Sequence, residues 1–158
     1  MESTGKKIKL WRLADFSGPD AREAPVVDPQ TGGDLWKIWP ATGSSELSVL
    51  YCWMGRAQQT GLHSHPTHHY GVVLQGSGIV YTENGVYQQV EGDLIHIPPN
   101  EPHSFGGHRD SDCWLIDFVK PSMTIDEITF YPERDADVHA AIEDFYASGR
   151  AVSVAHGG

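Results

Sequence analysis

The run from Gly61 to Gly76, Gly-Leu-His63-Ser-His65-Pro66-Thr-His68-His69-Tyr70-Gly-Val-Val-Leu74-Gln-Gly, limits what this chain can fold into more than any other stretch. Four of the nine histidines fall within seven residues of it. His63 and His65 are two apart, so on an extended strand their imidazoles leave the same face and can grip one ion between them. Pro66 interrupts the extension, and His69 opens a second extended segment, the apolar Tyr70 to Leu74. Tags are terminal and unpatterned, whereas this run is internal and flanked by strand-like sequence. The alternative to a metal site is a solvated histidine-rich loop.

A second stretch, Gly92-Asp-Leu-Ile-His-Ile-Pro98-Pro-Asn100-Glu101-Pro-His103-Ser-Phe105-Gly106, reads as a strand, a Pro/Asn turn, and a histidine opening the next strand. Side by side, the two stretches resemble the paired motifs of the cupin superfamily, G-x5-H-x-H-x3,4-E-x6-G and G-x5-P-x-G-x2-H-x3-N. His63, His65 and Gly76 match the first, and Gly92, Pro98 and His103 the second. The family's usual glutamate is His69 here, the turn glycine is Asn100 and the closing asparagine is Gly107. The leading glycine is displaced, since Gly61 lies only two before His63. Asparagine is the non-glycine residue best suited to a left-handed turn, so Asn100 keeps the turn.

The resemblance implies an all-β fold, a cupin-type sandwich barrel or jelly roll, here with one C-terminal helix. It also implies one divalent ion held by His63, His65, His103 and, in the glutamate's place, His69, as in the minority of cupins with four histidines. Four neutral imidazoles would leave the ion's charge uncompensated and favour anionic ligands. Imidazole suits Fe, Ni, Cu and Zn, and the resemblance adds Mn. Fe or Mn comes first for redox chemistry, Zn or Ni for a non-redox reaction.

Composition agrees with one domain of this kind. The 158 residues can bury a real core, and 17 glycines suit a turn-rich β protein. A formal charge of −10 argues against nucleic acid or an anionic membrane surface as partner. No apolar stretch approaches a transmembrane span and the N-terminus has no signal-peptide core, so the expected location is the cytoplasm. Cys52 and Cys113 lie in apolar runs and read as buried free thiols rather than a disulfide.

In chain order, residues 1–33 read as a leading strand, Ile8 to Leu13, followed by a long surface loop. Residues 34–120 read as the barrel, beginning with a short strand that Pro40 ends. Glu46 to Met54 is apolar on both faces, which suits a strand inside a sandwich. Ser77 to Val90 is a hairpin around Asn84-Gly85, and Asp112 to Val119 is the returning strand. In residues 121–158, Val138, Ala141, Ile142, Phe145 and Tyr146 make a helical stripe over 135–148, with acids in the first turn and Gly149 past its end. The leading strand suggests a homodimer. His68, His96, His108, His139 and His156 read as solvated.

Phe105 lies two beyond His103 and shares that ligand's face on a regular strand, so it is the first candidate for a pocket wall. Trp53 is a second, on the strand before the first motif. Other strand aromatics are as well explained by core packing. The acid/base candidates are Glu101, Tyr51 and Asp117. The last is an acid in an apolar run, read either as a salt-bridged carboxylate or as a pocket acid. Three functions fit: an oxygenase using O2 on a small diketone, enol or phenolic; a non-redox lyase, isomerase or cyclase working through an enolate; and a non-catalytic metal- or ligand-binding protein.

Overall fold

The apolar run after Pro66 governs the architecture. The computed structural model describes residues 36–43, by their backbone, and residues 45–149. Nine strands are found in them: β1 (Trp36–Gly43), β2 (Ser48–Met54), β3 (His63–Ser64), β4 (His68–Thr82), β5 (Gly85–Val90), β6 (Leu94–Ile97), β7 (His103–Gly107), β8 (Cys113–Lys120) and β9 (Thr129–Phe130). One helix, α1 (Asp135–Ser148), follows. Two antiparallel sheets share β4. Its first half pairs with β8 and β6, and β8 continues to β2 and β1. Its second half pairs with β5 and β7, and β7 continues to β3 and β9.

The two segments that the sequence suggests on either side of Gly76 are thus one 15-residue strand that changes sheet. Its register with β8 shifts between Val73 and Gln75. Gly76 follows at φ +80°, and a Cβ there would lie 2.0 Å from the Asp112 carbonyl oxygen. Only glycine permits this bend.

Between the sheets lie Cys52, Met54, Val73, Val80, Ile97, Phe105, Cys113 and Leu115, all buried. On β2, Leu50, Cys52 and Met54 pair across to Asp117, Leu115 and Cys113 on this inner face. Val49, Tyr51 and Trp53 point the other way and are only half-buried. β2 is therefore not buried on both sides, contrary to its composition. Its outer apolarity serves cross-strand aromatic pairing instead, with the Trp53 and Trp114 ring centroids 6.4 Å apart.

A second apolar layer joins Leu62, Ile79 and Val86 to Val138 and Ile142 of α1. Burying the last two side chains contributes about 1.5–3 kcal/mol each. Asp135 Oδ1 accepts from the Leu62 amide at 2.9 Å, tying the helix start to the segment that carries His63. Gly149 ends the helix in the left-handed conformation.

Three boundaries differ from the sequence reading. β1 runs through Pro40 to Gly43, because among the described residues it stands at the edge of its sheet, and its register slips between Pro40 and Thr42. The tight turn of the hairpin is Glu83-Asn84, with Gly85 at φ +140° already paired with Thr82. β9 brings residues beyond 120 into the barrel, beside His63. The expected strand and loop over residues 8–33 lie outside the described residues. No described helix is long and apolar enough to cross a membrane.

Candidate metal centre

Three backbone carbonyls set the site. His63 on β3 stands opposite His103 on β7. His65 follows β3 directly, before the Pro66 turn. His63 Nδ1 donates to Gly61 O at 2.8 Å and His103 Nδ1 to Glu101 O at 2.8 Å. His65 Nδ1 faces Thr67 O at 3.2 Å and Thr67 Oγ1 at 3.0 Å. A carbonyl only accepts, so each Nδ1 carries the proton and each Nε2 keeps its lone pair. One nitrogen from each ring lies within 4.8 Å of the other two. His63 and His65 are each 2% exposed and His103 fully buried. His103 Nε2 has no hydrogen-bond partner among the described residues. A buried, orphaned lone pair facing two more imidazoles fits a divalent cation.

Electrostatics favour the same form. Burial pushes His65 down to about 4, with His69 and His63 adding to the effect. Burial, then His63, holds His103 well below the usual imidazole range. Both are neutral at pH 7, the state that binds a cation. An unfolded histidine titrates near 6.5, so below that pH the unfolded chain binds more protons than the metal-free fold does. The melting temperature of metal-free protein should therefore fall between pH 7 and pH 5.5, above the carboxylate range. A flat profile across that interval would contradict the buried neutral pair.

His69 stands apart from the three-histidine group. It lies on β4, 6% exposed, with Nδ1 3.2 Å from His65 Nε2. Its Nε2 is 2.9 Å from Asp117 Oδ2, but out of hydrogen-bonding alignment. Asp117 is 1% exposed and its Oδ2 also accepts from the Cys52 thiol at 3.2 Å. Burial, first, and Asp117, second, push the Cys52 thiol well up and the Cys113 thiol to about 12. Both cysteines are free and buried.

The other sequence candidates divide. Phe105 is buried on the inner face, its ring centroid 5.4 Å from His103 and 5.7 Å from His69. Glu101 holds His103 through its carbonyl and helps line a cavity of about 620 Å³. Thr82, Tyr87, Gln89 and Ile97 line it too. Thr82 is the cross-strand partner of His103 and Ile97 that of His69, although none of the four histidines itself lines the cavity. Tyr51 and Trp53, in contrast, lie on the outer face of β2 and do not meet the site. His68 is exposed on the outer face of β4, its Nδ1 3.0 Å from His96 Nε2. Sequence reasoning missed Thr82, Tyr87, Gln89 and Phe130. Alternation along β5 marks one face but not which face is inner, and Phe130, 5.7 Å from His63, arrives on a two-residue strand.

The departures from the motif also find physical reasons. Asn100 adopts φ +63°, and its amide donates to His65 O at 2.7 Å, joining the second motif to the first. A Cβ at Gly107 would lie 2.3 Å from Gly55 O, so asparagine does not fit there.

Residues 49–119 match the family model described as a cupin domain. The fold is the cupin fold. A cupin-like protein from Thermotoga maritima superposes with a TM-score of 0.59 at 19% identity, covering 73% of this chain and 94% of that one. A DMSP lyase from Ruegeria pomeroyi gives a TM-score of 0.57 at 19% identity, over 63% of this chain and 54% of the lyase. A sugar phosphate isomerase from a cupin superfamily, from Silicibacter pomeroyi, gives 0.51 at 17% identity, over 56% and 61%. No curated protein matches this chain in sequence.

Proposed function

We propose that the chain is a metal-dependent cupin enzyme that oxygenates a small chelating substrate, a diketone, an enol or a phenolic. The observation that carries this reading is the set of three buried imidazoles, one nitrogen of each within 4.8 Å of the others, whose Nδ1 atoms are tied to carbonyls so that each Nε2 keeps its lone pair. His63, His65 and His103 would hold the ion, with His69 as fourth ligand. Bound there, Fe or Mn would supply Lewis acidity and electron exchange with O2, whereas Zn, Ni or Cu would change the chemistry.

The chain's own residues bind, orient and exclude water. Phe105 covers the edges of His69 and His103 and keeps solvent from that side. Glu101, on the cavity wall beside His103, is placed to take or give a proton at its carboxylate. Asp117 is the second acid/base candidate, behind His69. Tyr51 drops out because it faces away.

A second reading, a non-redox lyase, isomerase or cyclase, is favoured by the polar side of the cavity. Glu101 and Tyr87 there would serve proton transfer more directly than oxygenation. The fold is also shared with a lyase and an isomerase. Protein loaded with Fe or Mn is to be offered a panel of diketones, enols and catechols in an oxygen-electrode cell. Oxygen uptake matching substrate loss supports oxygenation. Substrate loss under argon supports the second reading, and an inert, fully loaded protein leaves a ligand-binding role. Free thiols fit a cytoplasmic setting. A homodimer is the expected assembly, and sedimentation as a monomer at micromolar concentration would remove it.

A further inference from the structure

The fourth histidine faces its neighbour in a way that needs explaining. The hydrogen on His65 Nδ1 is directed at Thr67, whose hydroxyl donates onward to Met123 Sδ at 3.4 Å. His65 Nε2 therefore presents a lone pair. Charge proximity rather than an aligned hydrogen bond ties His69 Nε2, 2.9 Å from Asp117 Oδ2, to the carboxylate; a hydrogen on that nitrogen suits an acceptor-only group, and a neutral His69 then presents a lone pair on Nδ1 as well. These two lone pairs stand 3.2 Å apart. That approach is repulsive unless a cation lies between them or His69 carries a second proton, on Nδ1. Two nitrogens on one ion at right angles, each at a bond length of about 2.1 Å, are about 3 Å apart.

Asp117 needs the cation just as much. It is 1% exposed, and among the described residues its one charged-pair partner is His69. The Cys52 thiol is a weak donor, and Oδ1 has no partner among the described residues. A buried carboxylate so poorly matched is costly. Yet the fold makes room for it. Asp117 stands opposite Gly71, where a Cβ would lie 2.8 Å from Asp117 Oδ1.

We propose that Asp117 is a positioning residue that turns Nδ1 of His69 onto the ion and supplies, from behind the ring, the negative charge that a ligating glutamate supplies in most cupins. This rests on the metal reading above. The exchange of glutamate for His69 then moves the carboxylate one residue further from the ion. A ligating glutamate at 69 would meet Asp117 head-on, so His69→Glu by itself is a poor substitute despite being the family's usual residue.

The test uses Co2+ alone, titrated into metal-free full-length protein against a competing chelator, with the visible absorption of bound Co2+ as a second readout. Asp117→Asn should weaken binding about 10–100-fold, the usual cost of losing a carboxylate that orients a ligating histidine. His69→Glu should bind more weakly than the wild type, and His69→Glu with Asp117→Asn should recover most of the loss, which a merely structural Asp117 would not do. In metal-free wild-type protein, 15N NMR should find the His69 proton on Nε2. Unchanged affinity in Asp117→Asn, no recovery in the double variant, or a proton on Nδ1 would each overturn the proposal. The NMR arm stands even if the variants fail to fold. Wild-type protein that takes up no Co2+, or His103→Ala that binds as tightly as wild type, would bring down the metal reading instead.

Discussion

His103→Ala is expected to lose nearly all bound metal, with affinity falling at least 100-fold. Changing a residue that only orients a ligand typically costs 10–100-fold, and removing a ligand costs more. His103 is fully buried, stands opposite His63, and is aligned through Nδ1 by the Glu101 carbonyl. Among the described residues only His63 and His65 group with His103, and His69, already counted as the fourth ligand, is not a replacement for the lost nitrogen. His68→Ala serves as the matched control. It removes a histidine adjacent in sequence to His69 but exposed on the outer face beside His96, and metal content should not change. Elemental analysis of both proteins, equilibrated in the same buffered metal solution, decides the matter. Full occupancy in His103→Ala would mean that the wrong histidines have been named.

Gly76→Ala should be among the most destabilising substitutions in the chain, at roughly 3 kcal/mol or more. Two costs add. An L-residue at φ +80° sacrifices about 1–2 kcal/mol of backbone energy, and overpacking costs about 1–3 kcal/mol more. The obstructing atom is the backbone carbonyl oxygen of Asp112, 2.0 Å from the new Cβ, so no side-chain rotation relieves it. Gly92→Ala isolates the first cost, since Gly92 has φ +91° but nothing within 4 Å of a Cβ. Urea denaturation should give a midpoint for Gly76→Ala clearly below that of Gly92→Ala. Equal midpoints would show that the bend of β4 yields.

Much of the centre could be read from local spacing. The two-residue step from His63 to His65 and the turn before His103 are short-range features, and each candidate ligand's Nδ1 finds its carbonyl within two residues. The helix over 135–148 is equally local, because a stripe at helical spacing needs no partner to be recognised. Asn100 in the left-handed region follows from its own side chain.

What the sequence by itself determined, then, is the class of fold, the left-handed turn at Asn100 and the three histidines that group as candidate metal ligands, since these depend on residues close together in the chain. Tertiary structure alone decided which face of a strand is the inside. Tyr51 and Trp53 lost their place at the site because β2 pairs with β8 in a register that sends even-numbered residues inward, and register is a long-range property. The same register brings Cys52 and Asp117 together across 65 residues and sets Asp117 behind His69. Period-two alternation marks two faces without saying which one is covered. The continuity of β4 through Gly76, the arrival of Phe130 beside His63 and the ring of His69 turned between Asp117 and His65 all depend on contacts that only the folded pair of sheets makes.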